Sequence, residues 1–191
     1  MLINLRNALM TGKRLPYDAE VEYIESTGTQ CIDTGFDYFA DFEITCRTYL
    51  DINCRMLATA ARSCLYKRSA SDTFWTFGVT TRKYYTSSVP IDEWHTMKWK
   101  DGEIYVDGVF IRTYTKNEAS AGRLMVLGME SGTYTYAGRV SALKLWDTEG
   151  NLIHDSYSVR VGNAGYLYDR VSGKLFGNAG TGDFVVGPDK N

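Results

Sequence analysis

What the chain lacks narrows its chemistry before anything it contains. Its cysteines, Cys31, Cys46, Cys54 and Cys64, form no Cys-x-x-Cys pair and have no neighbouring histidine at zinc-site spacing, which argues against a structural metal. No block of Lys or Arg interrupts a formal net charge of −2, so the phosphate-neutralising surface needed for nonspecific nucleic-acid binding is missing. The apolar run at the N-terminus is far shorter than the roughly 20 residues that cross a bilayer. There is no repeat of fixed period, no low-complexity tract and no long linker. Proline is scarce at 3 while glycine and tyrosine reach 18 and 14, the profile of a sheet protein with many reverse turns. At 191 residues the chain suits one domain, which buries roughly 70% of the surface exposed by its unfolded chain.

Residues 94 to 112, WHTMKWKDGEIYVDGVFIR, spell out consecutive antiparallel strands together with their turns. Side chains alternate from Trp94 to Trp99, with Trp94, Thr96 and Lys98 on one face and His95, Met97 and Trp99 on the other. Asp101-Gly102 supplies the positive φ angles of a two-residue hairpin turn, and Asp107-Gly108 repeats that chemistry before Val109-Phe110-Ile111. Three short strands in a meander must bury one sheet face against another layer. Further strands are expected near 21–25, 30–34, 42–51, 54–60, 73–79, 82–87, 123–129, 138–147, 151–161, 165–169 and 183–187. The weakly alternating stretch from Ala58 to Arg68 is left open as a short helix or loop.

The Trp-His strand, Asp-Gly turn, aromatic-bearing strand and Val-Asp-Gly turn resemble the central hairpins of laminin-G-like, concanavalin-A-like lectin domains. The closing run Leu167-Tyr168-Asp169-Arg170-Val171-Ser172-Gly173-Lys174-Leu175-Phe176-Gly177-Asn178, with Gly180-Thr181-Gly182-Asp183-Phe184, looks like the last segment of phage-encoded and gut-bacterial members. The opening Tyr23-Ile24-Glu25-Ser26-Thr27-Gly28-Thr29-Gln30, with Ile32-Asp33-Thr34-Gly35, resembles their first strand pair. The resemblance spans residues 21 to 187 and implies an all-β, two-sheet antiparallel jelly-roll sandwich. It further implies a lectin-like function with a glycan as leading ligand, and a place among phage virion structural proteins such as a head fibre, decoration or tail-associated adhesin. The rival assignments are a bacterial carbohydrate-binding surface module and a glycosidase.

Residues 1–19 stand apart from the sandwich pattern of 20–191 as a short N-terminal anchoring arm. Leu2, Leu5 and Leu9 recur at helical spacing with Ile3 and Met10 beside them, until Gly12-Lys13-Arg14 and Leu15-Pro16-Tyr17 end the pattern. A helix of barely three turns is marginal alone in water, so the arm is expected to lie on its own sandwich, on copies of itself in a homo-oligomer, or on other virion proteins. The N-terminus lacks the basic region, apolar core and cleavage site of a secretory signal, which points to assembly in a host cytoplasm and residence in a virion. Cys46 alternates with Phe42, Ile44 and Leu50, which makes it a buried free thiol. Cys54 and Cys64 are read either as free thiols or as a disulfide across a hairpin.

Catalysis finds little support. Sandwich glycosidases of the resembled class carry a strand of Glu-x-Asp-x-Glu or Glu-x-Asp-x-x-Glu, whose alternate carboxylates face the sugar, and neither string occurs. The pairs Glu20/Glu22 and Asp41/Glu43 lack a third acid and read as solvated edge charges. His95 reads as a packing residue and His154 as a half-exposed strand residue, neither near a nucleophile. Gly177 to Gly182 is a turn rather than a phosphate cradle, because a strand and not a helix follows it. Calcium is compatible with the loop carboxylates, but no motif maps onto positions and no cofactor is assigned. The candidate glycan-stacking rings are Trp75, Tyr84, Tyr85, Tyr134 and Tyr136, the last two aimed alike if their segment is extended. Trp75, between Phe74 and Phe77, also fits the core.

Overall fold

Asp101 and Gly102 take φ of 53° and 82°, and Asp107 and Gly108 take 51° and 79°, the paired positive values of two-residue turns whose twist matches that of the flanking strands. These turns set the register of the meander in the computed structural model, which describes residues 14–50, 54–59, 63–67, 73–78, 84–113, 120–129 and 135–191. Among them the strands run, in chain order, β1 Ala19–Glu20, β2 Ile24–Thr27, β3 Ile32–Asp33, β4 Tyr38–Phe39, β5 Asp41–Arg47, β6 Cys54–Ala58 and β7 Ser63–Lys67. They continue with β8 Phe74–Gly78, β9 Tyr84–Pro90, β10 His95–Lys100, β11 Glu103–Val106, β12 Val109–Thr113 and β13 Ser120–Ala121. Then come β14 Met125–Val126, β15 Ala137–Trp146, β16 Leu152–Val161, β17 Ala164–Asp169, β18 Leu175–Phe176 and β19 Val185–Val186.

Every pairing is antiparallel. The larger sheet has the order β12-β11-β10-β5-β15-β16-β17-β18, with β1, β2 and β19 attached beside it, and the second has the order β3-β14-β6-β7-β8-β9. The two sheets face each other as a jelly-roll sandwich, the expected fold class. Alternate residues of the large sheet point inward: Phe42 and Ile44, Met97 and Trp99, Leu143 and Leu145 are all fully buried. They meet Leu57, Leu65, Trp75 and Phe77 of the smaller sheet in one core. Phe77 sits with its ring centroid 6.4 Å from that of Phe42 and 6.3 Å from that of Trp99, while Phe42 and Trp99 are 6.5 Å apart. Each such pair contributes about 0.5–1.5 kcal/mol beyond burial, and the two pairs made by Phe77 join the layers at one point.

The glycine-rich segment after β18 laces the sandwich shut. Asn178 Oδ1 accepts the Cys31 and Gly180 N–H groups, its amide donates to the Gly182 carbonyl at 2.7 Å, and the Ala179 and Thr181 N–H groups bond to Cys31 and Thr29. A Cβ on Gly180 would come within 2.2 Å of the Thr29 carbonyl oxygen, so only glycine fits this approach. The segment leads into strand β19, in agreement with a turn and against a phosphate loop.

Four sequence expectations are corrected. The stretch 58–68 holds strand β7; its alternation was weak because Cys64 and Leu65 are buried and so is Lys67, whose ammonium bonds to the Tyr49 and Leu50 carbonyls. Leu50 lies beyond β5 and is 42% exposed, so it does not share the buried face of Cys46. All four cysteines are free and buried, and Cys54 stands opposite Lys67 rather than Cys64, which lies towards the other end of that hairpin. His154 is fully buried instead of half-exposed, because Phe36 and Phe176 pack edge-on against its ring, each 5.3 Å away. The proposed arm residues Leu2, Ile3, Leu5, Leu9 and Met10 lie outside the described residues. Within 14–19, Tyr17 already packs on Tyr157 and Tyr168, and the Asp18 N–H bonds to the Arg160 carbonyl.

His154 Nε2 lies 2.9 Å from Ser156 Oγ, and its Nδ1 lies 3.6 Å from Asp169 Oδ1. Asp169 is the hub of the turn after β17, accepting the N–H groups of Asp155, Val171 and Ser172 and the Ser172 hydroxyl. Burial pushes its carboxyl upward, but these hydrogen bonds and His154 outweigh burial and leave it below the usual carboxylate range. For His154, burial pushes the imidazole below its ordinary value despite Asp169 and Asp155 nearby. The unfolded chain therefore binds this proton more tightly than the folded one. The resulting stability is fully present above about pH 6.5 and is lost as pH falls towards the lowered folded value. Urea midpoints measured from pH 7.5 down to pH 5 should fall, and His154→Gln should flatten that slope; an unchanged slope would assign the acid sensitivity to other groups.

Candidate functional site

At one end of the outer face of the large sheet, antiparallel register sets Glu25 of β2 opposite Arg139 of β15, and Arg139 opposite Arg47 of β5. The next pair inward in register, Val140 and Cys46, is buried, so the row Glu25–Arg139–Arg47 faces outward. Tyr23 and Tyr49 lie two residues from Glu25 and Arg47, and Trp94 immediately precedes β10. The Arg139 guanidinium lies 4.6 Å from the Tyr23 ring and 6.0 Å from that of Tyr49. Tyr23 and Trp94 have centroids 5.8 Å apart, and Trp94 is 37% exposed. Arg139 Nε donates to Glu25 Oε2 at 2.8 Å, and the Tyr49 hydroxyl donates to Glu25 Oε1. Partial burial lowers the Arg139 pKa, but Glu25 outweighs it and holds the guanidinium charged. Burial and then the bond to Glu25 push the Tyr49 phenol up. Arg47 Nε is buried and meets no acceptor among the described residues.

The arrangement offers an apolar ring surface beside planar polar groups held in fixed orientation. Sugars are bound by this combination, their C–H faces stacking on rings and their hydroxyls bonding to planar side chains.

The rest of the outer face is occupied with itself. A row across the strands runs Tyr105, Lys98, Glu43, Lys144 and Asp155 in register. Lys98 and Lys144 reach Glu43 at 3.7 and 2.7 Å, and Arg170 reaches Asp155 at 2.6 Å. Lys98 and Lys100 lie over the Trp146 ring at 5.6 and 5.1 Å. Alternating charges satisfied by their neighbours are the signature of a solvated sheet face.

Two of the rings expected from sequence to bind a glycan, Trp75 and Tyr136, are described, and neither is among the residues of this patch. Trp75 is fully buried in the inter-sheet core, so it offers no face to a ligand, which corrects that assignment. Tyr136 is half-buried against the core, with its hydroxyl 4.0 Å from Met129 Sδ. Tyr134 lies outside the described residues, as do the side chains of Tyr84 and Tyr85. Asp41, read as a solvated edge charge, is buried and accepts the Asp101 N–H, tying β5 to the hairpin turn. His95 Nδ1 lies 2.8 Å from Asp107 Oδ2, which locks the second turn. Ser156, His154 and Asp169 follow the order of a nucleophile, base and acid, but all three are buried. Among the described residues no group of three or more potential metal ligands converges.

Sequence reasoning missed Tyr23, Glu25, Arg47, Tyr49, Trp94 and Arg139 as a unit. The available signal was the two-residue spacing in Tyr23/Glu25 and Arg47/Tyr49, which places each pair on one face of an extended segment.

Two stacked antiparallel sheets define the class: an all-β jelly-roll sandwich. The fold is similar to that of "a putative carbohydrate binding protein" from Bacteroides ovatus, with a TM-score of 0.53 and 13% identity over 87% of this chain and 60% of that one. This chain thus spans about 60% of the neighbour's length, and the likeness is one of fold. No protein-family model matches the chain, and the curated proteins give no match.

The patch separates into residues that hold the sheet and residues that face solvent. Arg139→Ala should cost about 1–3 kcal/mol, because it leaves the half-buried Glu25 carboxylate without its cation. Trp94→Ala, exposed and outside a strand, should cost less than about 1 kcal/mol. Urea denaturation of both variants checks the order.

Proposed function

We propose that the protein is a non-enzymatic, lectin-like module that binds glycans through the Tyr23–Trp94–Arg139–Glu25 patch. The observation that carries this reading is an exposed indole beside a carboxylate-braced guanidinium on the open face of the sandwich. The description of the Bacteroides ovatus fold neighbour as carbohydrate binding supports it. One ring stacked on a sugar contributes on the order of 1 kcal/mol beyond simple burial, so a single copy binds feebly. Adhesion then depends on many copies, since linked sites raise avidity by roughly 10² to 10⁴ where geometry permits.

Such multiplicity is natural for the finer reading, a phage virion structural protein displayed as a head fibre, decoration or tail-associated adhesin. The resemblance of both ends of the domain to phage-encoded relatives supports it, as does the apolar N-terminal arm, which in this reading attaches the domain to other virion proteins.

Two experiments test these levels. On a glycan array probed with multimerised protein, Trp94→Ala should abolish the wild-type signal with the fold retained, and no reducing sugar should be released from the glycans bound. Signal lost instead on Tyr134→Ala with Tyr136→Ala would move the site to that loop, and absence of any wild-type signal would sink the lectin reading. Deleting residues 1–13, which spares the docked Tyr17, should leave a folded sandwich that no longer joins particles; unchanged incorporation would refute the arm as anchor.

A further inference from the structure

The large sheet ends at β12, and this edge carries the longest exposed apolar run among the described residues. Val109, Phe110 and Ile111 are 63%, 50% and 41% exposed, in a strand whose five residues are all exposed. Exposed apolar edges are a liability that proteins blunt with proline, charge or very short strands. One edge of the second sheet, β9, ends in this way at Pro90. The β12 edge has no proline, its one charged residue is Arg112 two positions beyond Phe110, and no described strand pairs with its outer side.

The hairpin fixes which backbone groups that edge presents. The turn at Asp107-Gly108 makes Val106 and Val109 the hydrogen-bonded pair that closes it, and the next pair, Tyr105 and Phe110, is non-hydrogen-bonded. The N–H and C=O of Phe110 therefore point away from β11, out of the sheet edge. A register shift between Ile104 and Tyr105 follows at once, as β12 fits the extra residue Ile111 between Phe110 and Arg112, so the regular part of the edge is short and centred on Phe110.

We propose that β12 pairs antiparallel with β12 of a second copy of this chain about a two-fold axis at Phe110, joining two large sheets into one. In this register Phe110 meets Phe110 of the second copy through two reciprocal backbone hydrogen bonds, and Val109 meets Ile111 twice. Gly108 and Asp107 fall opposite Arg112 and Thr113, so no like charges oppose each other. A patch that complements itself under a two-fold rotation is what an isologous dimer requires. The overlap is short and falls below the roughly 1,200 Å² of stable complexes. The dimer is accordingly weak, and it forms where copies are concentrated. It does not depend on the glycan reading.

The test is sedimentation velocity of the full chain over a concentration series reaching the millimolar range. The wild type should shift from monomer towards twice the mass, and Phe110→Pro should remain monomeric, because proline removes the outward donor while sparing the ladder to β11. Ile111→Lys, which places charge on the edge without touching the backbone, should also remain monomeric, with circular dichroism confirming the fold of both. Because every native cysteine is buried, Phe110→Cys should give an oxidised dimer far faster than Glu149→Cys. A wild type that is monomeric throughout, a dimer that survives both edge variants, or one lost only on removing residues 1–13 would overturn the proposal.

Discussion

The contact on which the architecture rests is the triangle of Phe42, Trp99 and Phe77. Two of its rings come from neighbouring strands of the large sheet and the third from the facing layer, so it fixes both the separation of the sheets and their lateral alignment. The indole nitrogens of Trp75 and Trp99 find no acceptor among the described residues, a cost of about 1–3 kcal/mol each that the area buried by the rings must exceed. With the layers aligned there, whatever lies on the outer face is free of the core. The patch of Tyr23, Trp94 and Arg139 lies on that outer face, away from the facing layer.

The sequence was most legible where local chemistry alone decides conformation. Two Asp-Gly dipeptides announced their turns, and strict alternation from His95 to Trp99 announced which side chains would be buried. Legibility failed where burial came from a distance. His154 sits at a strand position like any other, and only the arrival of Phe36 and Phe176 from remote segments makes it a core residue. Lys67 disguised β7 because its ammonium is taken in by carbonyls of a loop that precedes it by many residues. The candidate site was unreadable as a site for the same reason: its members come from separate strands and a loop, and only the register of β2, β15 and β5 assembles them.

Charge on the outer face is distributed in two manners. Across its middle, cations and anions alternate from strand to strand and satisfy one another. At the end near Trp94 the pattern breaks: two arginines stand side by side in register, with one carboxylate, Glu25, beside Arg139 in the same row. Directly opposed like charges weaken a sheet, and here Glu25 and the Tyr23 and Tyr49 rings beside Arg139 offset that repulsion.

The lacing of β19 onto β2, together with the bridge between Val21 and Asp189, has a consequence for biosynthesis. A ribosome delivers residues 21–27 early and their partners at 185–189 only after nearly the whole domain has emerged. Until then the rim beside Ile24 stays open, and a nascent or prematurely released chain exposes an unclosed seam to chaperones and proteases. The fold thus carries its own check for completeness, since the closing stitch is the last part of the domain to be made.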